Sequence, residues 1–269
     1  MKVPIITFLS DFGLEDWFVG AVHGAILEVC PEARVVDLTH AIPPGDVARA
    51  SFVLEAAAPD FAPGTIHVAV VDPGVGTARR GLAARARGQC FVGPDNGVLD
   101  WALSDPAAEI RSLAERRFFR EPVSRTFHGR DVFGPVAAHL ASGATFDSLG
   151  PPVADPVRIA RPAPRLEAGG IRGQVMRVDR FGNALTNVSA ELIAGAFPGV
   201  PDTQLEIELC GRRLRGLSRS YGDSPVGSLV ALIGSSGRLE VAQVSGHAAS
   251  RLGAGTGDPV LITRAGSSA

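Results

Sequence analysis

The chain has 269 residues, 45% of them hydrophobic and 20% charged, with a formal net charge of −2. That balance describes a folded chain with a substantial core in one or two domains, and it excludes nucleic acid or an anionic membrane held by bulk electrostatics. Three cysteines, Cys30, Cys90 and Cys210, stand far apart without a CxxC pair, which excludes a cysteine zinc module and fits a reducing, cytoplasmic setting.

The apolar run that follows Met1-Lys2-Val3-Pro4 lasts only about five residues, too short for a signal-peptide core or a membrane span. Ile5 to Leu9 reads as a compact strand ended by Ser10-Asp11-Phe12-Gly13. Asp16 then caps a helix whose small and apolar residues recur to Val29, before Pro31 stops it. Arg34 to Leu38 is a second strand and Asp46 to Ala58 a second helix. Thr65 to Val71 is an unbroken β-branched run of the kind buried on both faces of a sheet. Phe91-Val92 leads into Gly93-Pro94-Asp95-Asn96-Gly97 and a short helix, and Asp131 to Ala141 forms another helix, capped by Asp131. This order predicts an α/β N-terminal domain, residues 1–150, with a mostly parallel sheet.

Residues 151–170 carry five prolines, at 151, 152, 156, 162 and 164, and read as a linker. From 171 to 269 the pattern is short strands between glycine-rich turns: Ile171 to Val178, Ala184 to Asn187, Gln204 to Cys210, Ser228 to Ile233, Leu239 to Val244 and Pro259 to Thr263. One helix, Ala190 to Ala196, interrupts them. That texture predicts a smaller all-β C-terminal barrel. Arg212-Arg213-Leu214-Arg215 reads as an ordinary exposed turn, and Ala265 to Ala269 as a frayed tail.

Ligands of a parallel sheet bind at the carboxyl ends of its strands, where polar clusters collect. Ser10-Asp11-Phe12-Gly13 follows the first strand, Asp37-Leu38-Thr39-His40 the second, and Asp72-Pro73-Gly74-Val75-Gly76-Thr77-Ala78-Arg79 the third. In the last, Arg79 is spaced to fold back on Asp72, although Asp72-Pro73-Gly74 also suits a plain tight turn. His128 stands beside Gly129 in a polar loop and is the histidine best placed for catalysis; His23, His67 and His139 fall inside helices or a strand, where structural roles prevail. Asp11, Asp37, His40, Asp72 and His128 have the donors of a mixed metal site, but no ligand spacing supports one, so no metal is expected. No P-loop, dinucleotide fingerprint or nucleophile elbow occurs. In the second half, Phe181 and Asn183 in Asp179-Arg180-Phe181-Gly182-Asn183 suit stacking on, and reading the edge of, a flat base. Ser235 and Glu240 border a small-residue loop, Gly234 to Gly237, able to meet a carboxylate.

Taken in order, Ser10-Asp11-Phe12-Gly13, Val71-Asp72-Pro73-Gly74-Val75-Gly76, Gly93-Pro94-Asp95-Asn96-Gly97, Thr126-Phe127-His128-Gly129-Arg130-Asp131, Asp179-Arg180-Phe181-Gly182-Asn183 and Ser235-x-Gly237-x-Leu239-Glu240 resemble the S-adenosylmethionine hydroxide adenosyltransferases, relatives of the bacterial fluorinase and chlorinase. The resemblance spans nearly the whole chain. It implies hydrolysis of S-adenosylmethionine to adenosine and methionine, with no cofactor beyond the substrate, in a homotrimer with sites between subunits. It assigns Asp72, Arg79 and His128 to catalysis, Asp11 to the ribose, Phe181 and Asn183 to adenine, and Ser235 to the methionine end, with Glu240 of the same motif also counted as substrate-binding. The halogenating relatives carry tyrosine at position 72 and Tyr-Ser at 128–129, so Asp72 and His128-Gly129 favour water over halide as nucleophile. They also carry arginines where Ser236 and Gln243 stand, so the methionine carboxylate is expected to use backbone N–H groups of Gly234 to Gly237. The alternatives are a chloride-using halogenase and a non-catalytic adenosine or S-adenosylmethionine sensor.

Overall fold

The computed structural model describes residues 3–167 and 169–266 and divides into two compact units, Met1–Ala160 and Arg161–Ala269. The last three residues of the expected tail lie outside the described part. In the first unit the order is β1 (Ile5–Ser10), α1 (Phe18–Val29), β2 (Arg34–Thr39), α2 (Val47–Ala57), β3 (Ile66–Val70), β4 (Gly81–Ala86), β5 (Gln89–Pro94), α3 (Asp100–Leu103), β6 (Glu109–Ser112) and α4 (Gly134–Ala141). Strands run β2-β1-β3-β5-β4-β6 across one sheet.

Side-chain alternation along the central strands builds a core on each face. Ile66, Val68 and Val70 of β3 join Ile6 and Phe8 under α1 and α4. Ala69 and Val71 join Leu9 on the opposite face, with Leu54 of α2 and Leu103 of α3. The β1–β2, β1–β3 and β3–β5 pairings are parallel. The β4–β5 and β4–β6 pairings are antiparallel, so the sheet is mixed where a mostly parallel one was expected. The source of the difference is β4, Gly-Leu-Ala-Ala-Arg-Ala, which has no β-branched residue to announce it. It forms because Arg87 (φ 53°) and Gly88 (φ 75°) close a two-residue hairpin onto β5, the left-handed pair that matches strand twist.

Two helix starts also differ from expectation. Asp16 does not cap α1, whose N-cap is Trp17 with no side-chain bond. Asp131 is not a cap either: it lies inside a π-helical turn, Gly129–Phe133, that precedes α4. Its buried carboxylate instead accepts from Ser124 N at 2.8 Å and from Arg130 Nε and Nη2 at 2.6 and 2.9 Å. Asp46 does cap α2, accepting from Arg49 N at 2.9 Å.

His67 of β3 stacks on Phe91, ring centroids 4.9 Å apart, with Nδ1 2.8 Å from Thr7 Oγ1. Burial pushes its pKa down to about 4. The folded protein keeps this ring neutral where the unfolded chain, at about 6.5, takes up a proton. A stability penalty therefore sets in below about pH 6.5 and stops growing near 4, reaching about 3 kcal/mol. Urea melts across that window test this drop, which His67→Gln is expected to flatten.

The second unit holds β7 (Arg165–Glu167), β8 (Gly170–Val178), β9 (Ala184–Ser189), α5 (Ala190–Ala196), β10 (Leu205–Leu209), β11 (Arg212–Arg215), β12 (Leu229–Ile233), β13 (Arg238–Gln243), α6 (Ala248–Leu252) and β14 (Pro259–Arg264). The path β11-β10-β14-β8-β9-β13-β12 is antiparallel throughout, with β7 added to β8. A bridge from Ser218, just past β11, to Leu232 in β12 brings the ends together, so the barrel is nearly closed around Ile171, Val175, Ile207, Val241 and Ile262. Arg212 to Arg215 is an edge strand, not a turn. Its Arg213 pairs with Glu206 and Glu208 of β10 at 3.4 and 3.1 Å. No helix among the described residues is long and apolar enough to cross a membrane.

Candidate active site

In the first unit, β2 and β3 flank β1 on opposite sides, which makes the gap between the carboxyl ends of β1 and β3 a topological switch point. A cleft of about 390 Å³ opens there, lined by Asp11, Phe12, Gly45, Asp72, Phe127 and His128 among others. Asp11 leaves the end of β1, and its Oδ2 accepts from Gly45 N at 2.8 Å. Asp72 follows β3 directly, and Asn96 steadies that exit by donating from Nδ2 to Val71 O at 2.8 Å.

The Asp72 loop returns on itself. Thr77 Oγ1 donates to Gly74 O at 2.7 Å, which turns the chain so that Arg79 comes back over Asp72. Arg79 Nε lies 2.9 and 3.0 Å from the two carboxylate oxygens, and Nη2 also donates to Oδ2. The guanidinium sits over the ring of Phe133, 5.2 Å from its centroid, on the π-helical turn that His128 precedes. Gly76 (φ 77°) presses this loop against the next one: a Cβ there would lie 2.4 Å from Arg125 O.

Arg79 Nη2 also lies 2.7 Å from His128 Nδ1. A guanidinium only donates, so His128 Nδ1 accepts and the ring proton sits on Nε2. Burial first, then the adjacent Arg79 charge, hold the His128 ring below the ordinary histidine range. Asp72, Arg79 and His128 are thus one connected unit with Arg79 at its centre. The side chains of Asp72 and Arg79 are 6% and 12% exposed, which removes most of the solvent screening between them.

Phe181, Asn183, Ser235 and Glu240 belong to the second unit. Asp179 clamps the Phe181 turn, its Oδ1 accepting from the backbone N of Phe181 and Asn183 at 2.8 and 2.9 Å. Phe181 is left 76% exposed, while Asn183 is buried with Nδ2 3.2 Å from Asp179 Oδ2. Gly182 (φ 85°) is obligatory, since a Cβ would fall 2.2 Å from the His247 ring. Ser235 lies in the β12–β13 turn, where Gly234 N and Gly237 N are spent on internal bonds. The amides of Ser235 and Ser236 are therefore the ones this turn leaves for a carboxylate. Glu240 is buried, and Tyr221 Oη donates to its Oε1. Burial pushes the Glu240 carboxyl up and, with that partner, the Tyr221 phenol to about 12. Tyr221, half-exposed and the single tyrosine of the chain, was not anticipated. Its position in Ser220-Tyr221-Gly222-Asp223, between strands, was the available signal.

Asp37 and His40, weighed as metal donors with Asp11, Asp72 and His128, gather instead with His23; the other three are not part of that group.

The N-terminal domain profile of the SAM hydroxide adenosyltransferase family matches residues 6–150, and its C-terminal domain profile residues 173–261. The (R)-S-adenosyl-L-methionine hydrolase of Salinispora tropica is 41% identical over 97% of this chain and 98% of its own length. That of Thermus thermophilus is 42% identical over 96% and 98%. A fluorinase of Actinoplanes sp. is 29% identical over 97% and 98%. Among solved structures, an uncharacterized conserved protein from Thermotoga maritima superposes with a TM-score of 0.90 at 36% identity, covering 96% of this chain and all, 100%, of that one.

Proposed function

The chain belongs to the SAM hydroxide adenosyltransferase family, and on that premise we propose that it hydrolyses S-adenosyl-L-methionine to adenosine and L-methionine, water attacking the ribose C5′ in line with the departing sulfur. The bridging of Asp72 and His128 by Arg79 beside one cleft carries this reading.

Methionine leaves as a neutral thioether, so the reaction needs no acid at the leaving group. Water needs orientation and a place for its proton. His128 Nδ1 is occupied by Arg79, so this ring offers water a donor, Nε2–H, and not a vacant base. The Asp72 carboxylate keeps lone pairs beyond those that Arg79 engages, and it takes the proton. One water O–H bond breaks, the new C5′–O bond forms, and the C5′–S pair returns to sulfur. Asp72 also offsets the Arg79 charge, which would otherwise repel the sulfonium. A poorly hydrated cleft further favours a step in which that cation is neutralised.

Asp11 is assigned to the ribose hydroxyls, Phe181 and Asn183 to adenine, and Ser235 to the methionine end. Glu240, engaged by Tyr221, supports that loop. The assembly is a cytoplasmic homotrimer with sites between neighbouring subunits, so light scattering is expected to give three times the chain mass. No metal takes part. In oxygen-18 water with chelator present, adenosine is expected to carry the label at its 5′ oxygen; turnover only with added metal, or 5′-chloro-5′-deoxyadenosine formed from chloride, would reject this reading. His128→Gln, which retains an N–H donor, is expected to keep turnover within about tenfold of the parent, whereas loss of a general base costs about 10²–10⁴. Steady-state rates distinguish the two roles.

A further inference from the structure

Away from the Asp72 cluster, His23 on α1, Asp37 on β2 and His40 just beyond β2 bring their ligand atoms within 4.8 Å of one another. We propose that these three side chains bind a divalent transition cation of the zinc type, at a site separate from the hydrolytic centre and independent of the hydrolase reading. Two imidazoles and a carboxylate suit zinc, cobalt or nickel, and not the oxygen-seeking magnesium or calcium.

His40 carries the argument. Its side chain is 2% exposed, and its Nε2 has no hydrogen-bond partner although Asp37 Oδ1 is 3.0 Å away. The in-plane direction of that nitrogen misses the carboxylate oxygen. A zinc ion about 2.0–2.2 Å from both atoms must lie to one side of the line joining them. An off-line nitrogen is therefore compatible with a shared cation where it fails as a hydrogen bond. The opposite ring nitrogen is already anchored, Nδ1 standing 2.7 Å from Ser10 Oγ. A bound cation selects the tautomer in which Nδ1 donates to that hydroxyl and Nε2 keeps its lone pair, the outer-shell support usual for histidine ligands.

His23 Nε2 approaches the same Asp37 oxygen at 2.8 Å. Cation binding shifts its ring proton to Nδ1 and gives Nε2 to the metal. Phe8 walls the apolar side, its ring centroid 4.8 Å from that of His40 and 6.1 Å from that of His23. Asp37, with its side chain 38% exposed, leaves a route for the ion and room for a water as fourth ligand. Occupancy would also stiffen the Asp11 loop, because Gly13 N donates to His40 O at 2.9 Å.

The test uses the full chain, stripped with chelator and titrated with Zn²⁺ by calorimetry and with Co²⁺ by visible absorption. One ion per chain and a visible cobalt band are expected. His23→Gln and Asp37→Asn, both at partly exposed positions, should each weaken Zn²⁺ binding at least tenfold, as should His40→Ala. Ser10→Ala should weaken it by about 10–100-fold, and Asp72→Asn should leave it unchanged. The proposal is overturned if neither ion binds, if His23→Gln and Asp37→Asn bind as the parent does, or if Asp72→Asn abolishes binding. Hydrolysis in chelator is a separate measurement, so failure here leaves the hydrolase reading standing.

Discussion

Asp72→Asn is expected to lower kcat for S-adenosylmethionine hydrolysis by about 10²–10⁴-fold while adenosine affinity stays within a few-fold. The amide keeps the shape of the carboxylate and one acceptor for Arg79, but it cannot accept the proton of water or balance the guanidinium charge. Substrate, a cation, is expected to bind more weakly than adenosine does, because Arg79 is then uncompensated beside the cleft. Asp72→Ala goes further: it strands a guanidinium that is 12% exposed, a loss of about 3–5 kcal/mol by analogy with broken buried pairs. Asp72→Ala with Arg79→Ala is expected to recover stability without recovering turnover. Rates, adenosine titration and urea melts together test the assignment, and full activity in Asp72→Asn would return this carboxylate to a turn.

Gly76→Ala is expected to do comparable damage without removing any chemical group. Its backbone sits at φ 77°, where an L-residue costs about 1–2 kcal/mol. The added methyl meets a backbone carbonyl, Arg125 O, at 2.4 Å, and a carbonyl cannot rotate aside as a side chain can. Thr126 to His128 must move with Arg125, which draws the imidazole away from Arg79. The strain falls on the Asp72 loop as well, and a displacement of about 1 Å in the base costs about 10² in rate. Thermal melts and kcat measured on the same variant check both effects; unchanged kcat would show that the two loops are not coupled through this contact.

The parts of the fold that were legible in the sequence are those with a strong local signal. β3 is a buried run that is apolar apart from His67, α2 has an aspartate cap, and the barrel strands alternate between turn residues. What escaped was set by tertiary pairing. β4 is alanine-rich and β11 arginine-rich; each becomes a strand because a left-handed residue pair, Arg87-Gly88 or Cys210-Gly211, folds it onto a ready partner. The same division holds at the site. Spacing indicated that Arg79 would fold back on Asp72, as it does, while the grouping of both with His128 came from the ordered motifs of the family resemblance. Spacing alone could not reveal that Arg79 would reach His128, which fixes the ring tautomer and moves the base assignment to Asp72. Nor could it reveal His23 beside Asp37 and His40, because a helix facing an edge strand leaves no trace in linear order.

One guanidinium nitrogen, Arg79 Nη2, serves both Asp72 and His128. The effects of changing these residues are therefore not separable. Once Arg79 is gone, the carboxylate and the imidazole have lost the group that orients them, and their later removal has little left to take. Multiplying the losses of single variants will overstate the loss in the triple variant, and a thermodynamic cycle through Asp72 and Arg79 should return a large coupling energy.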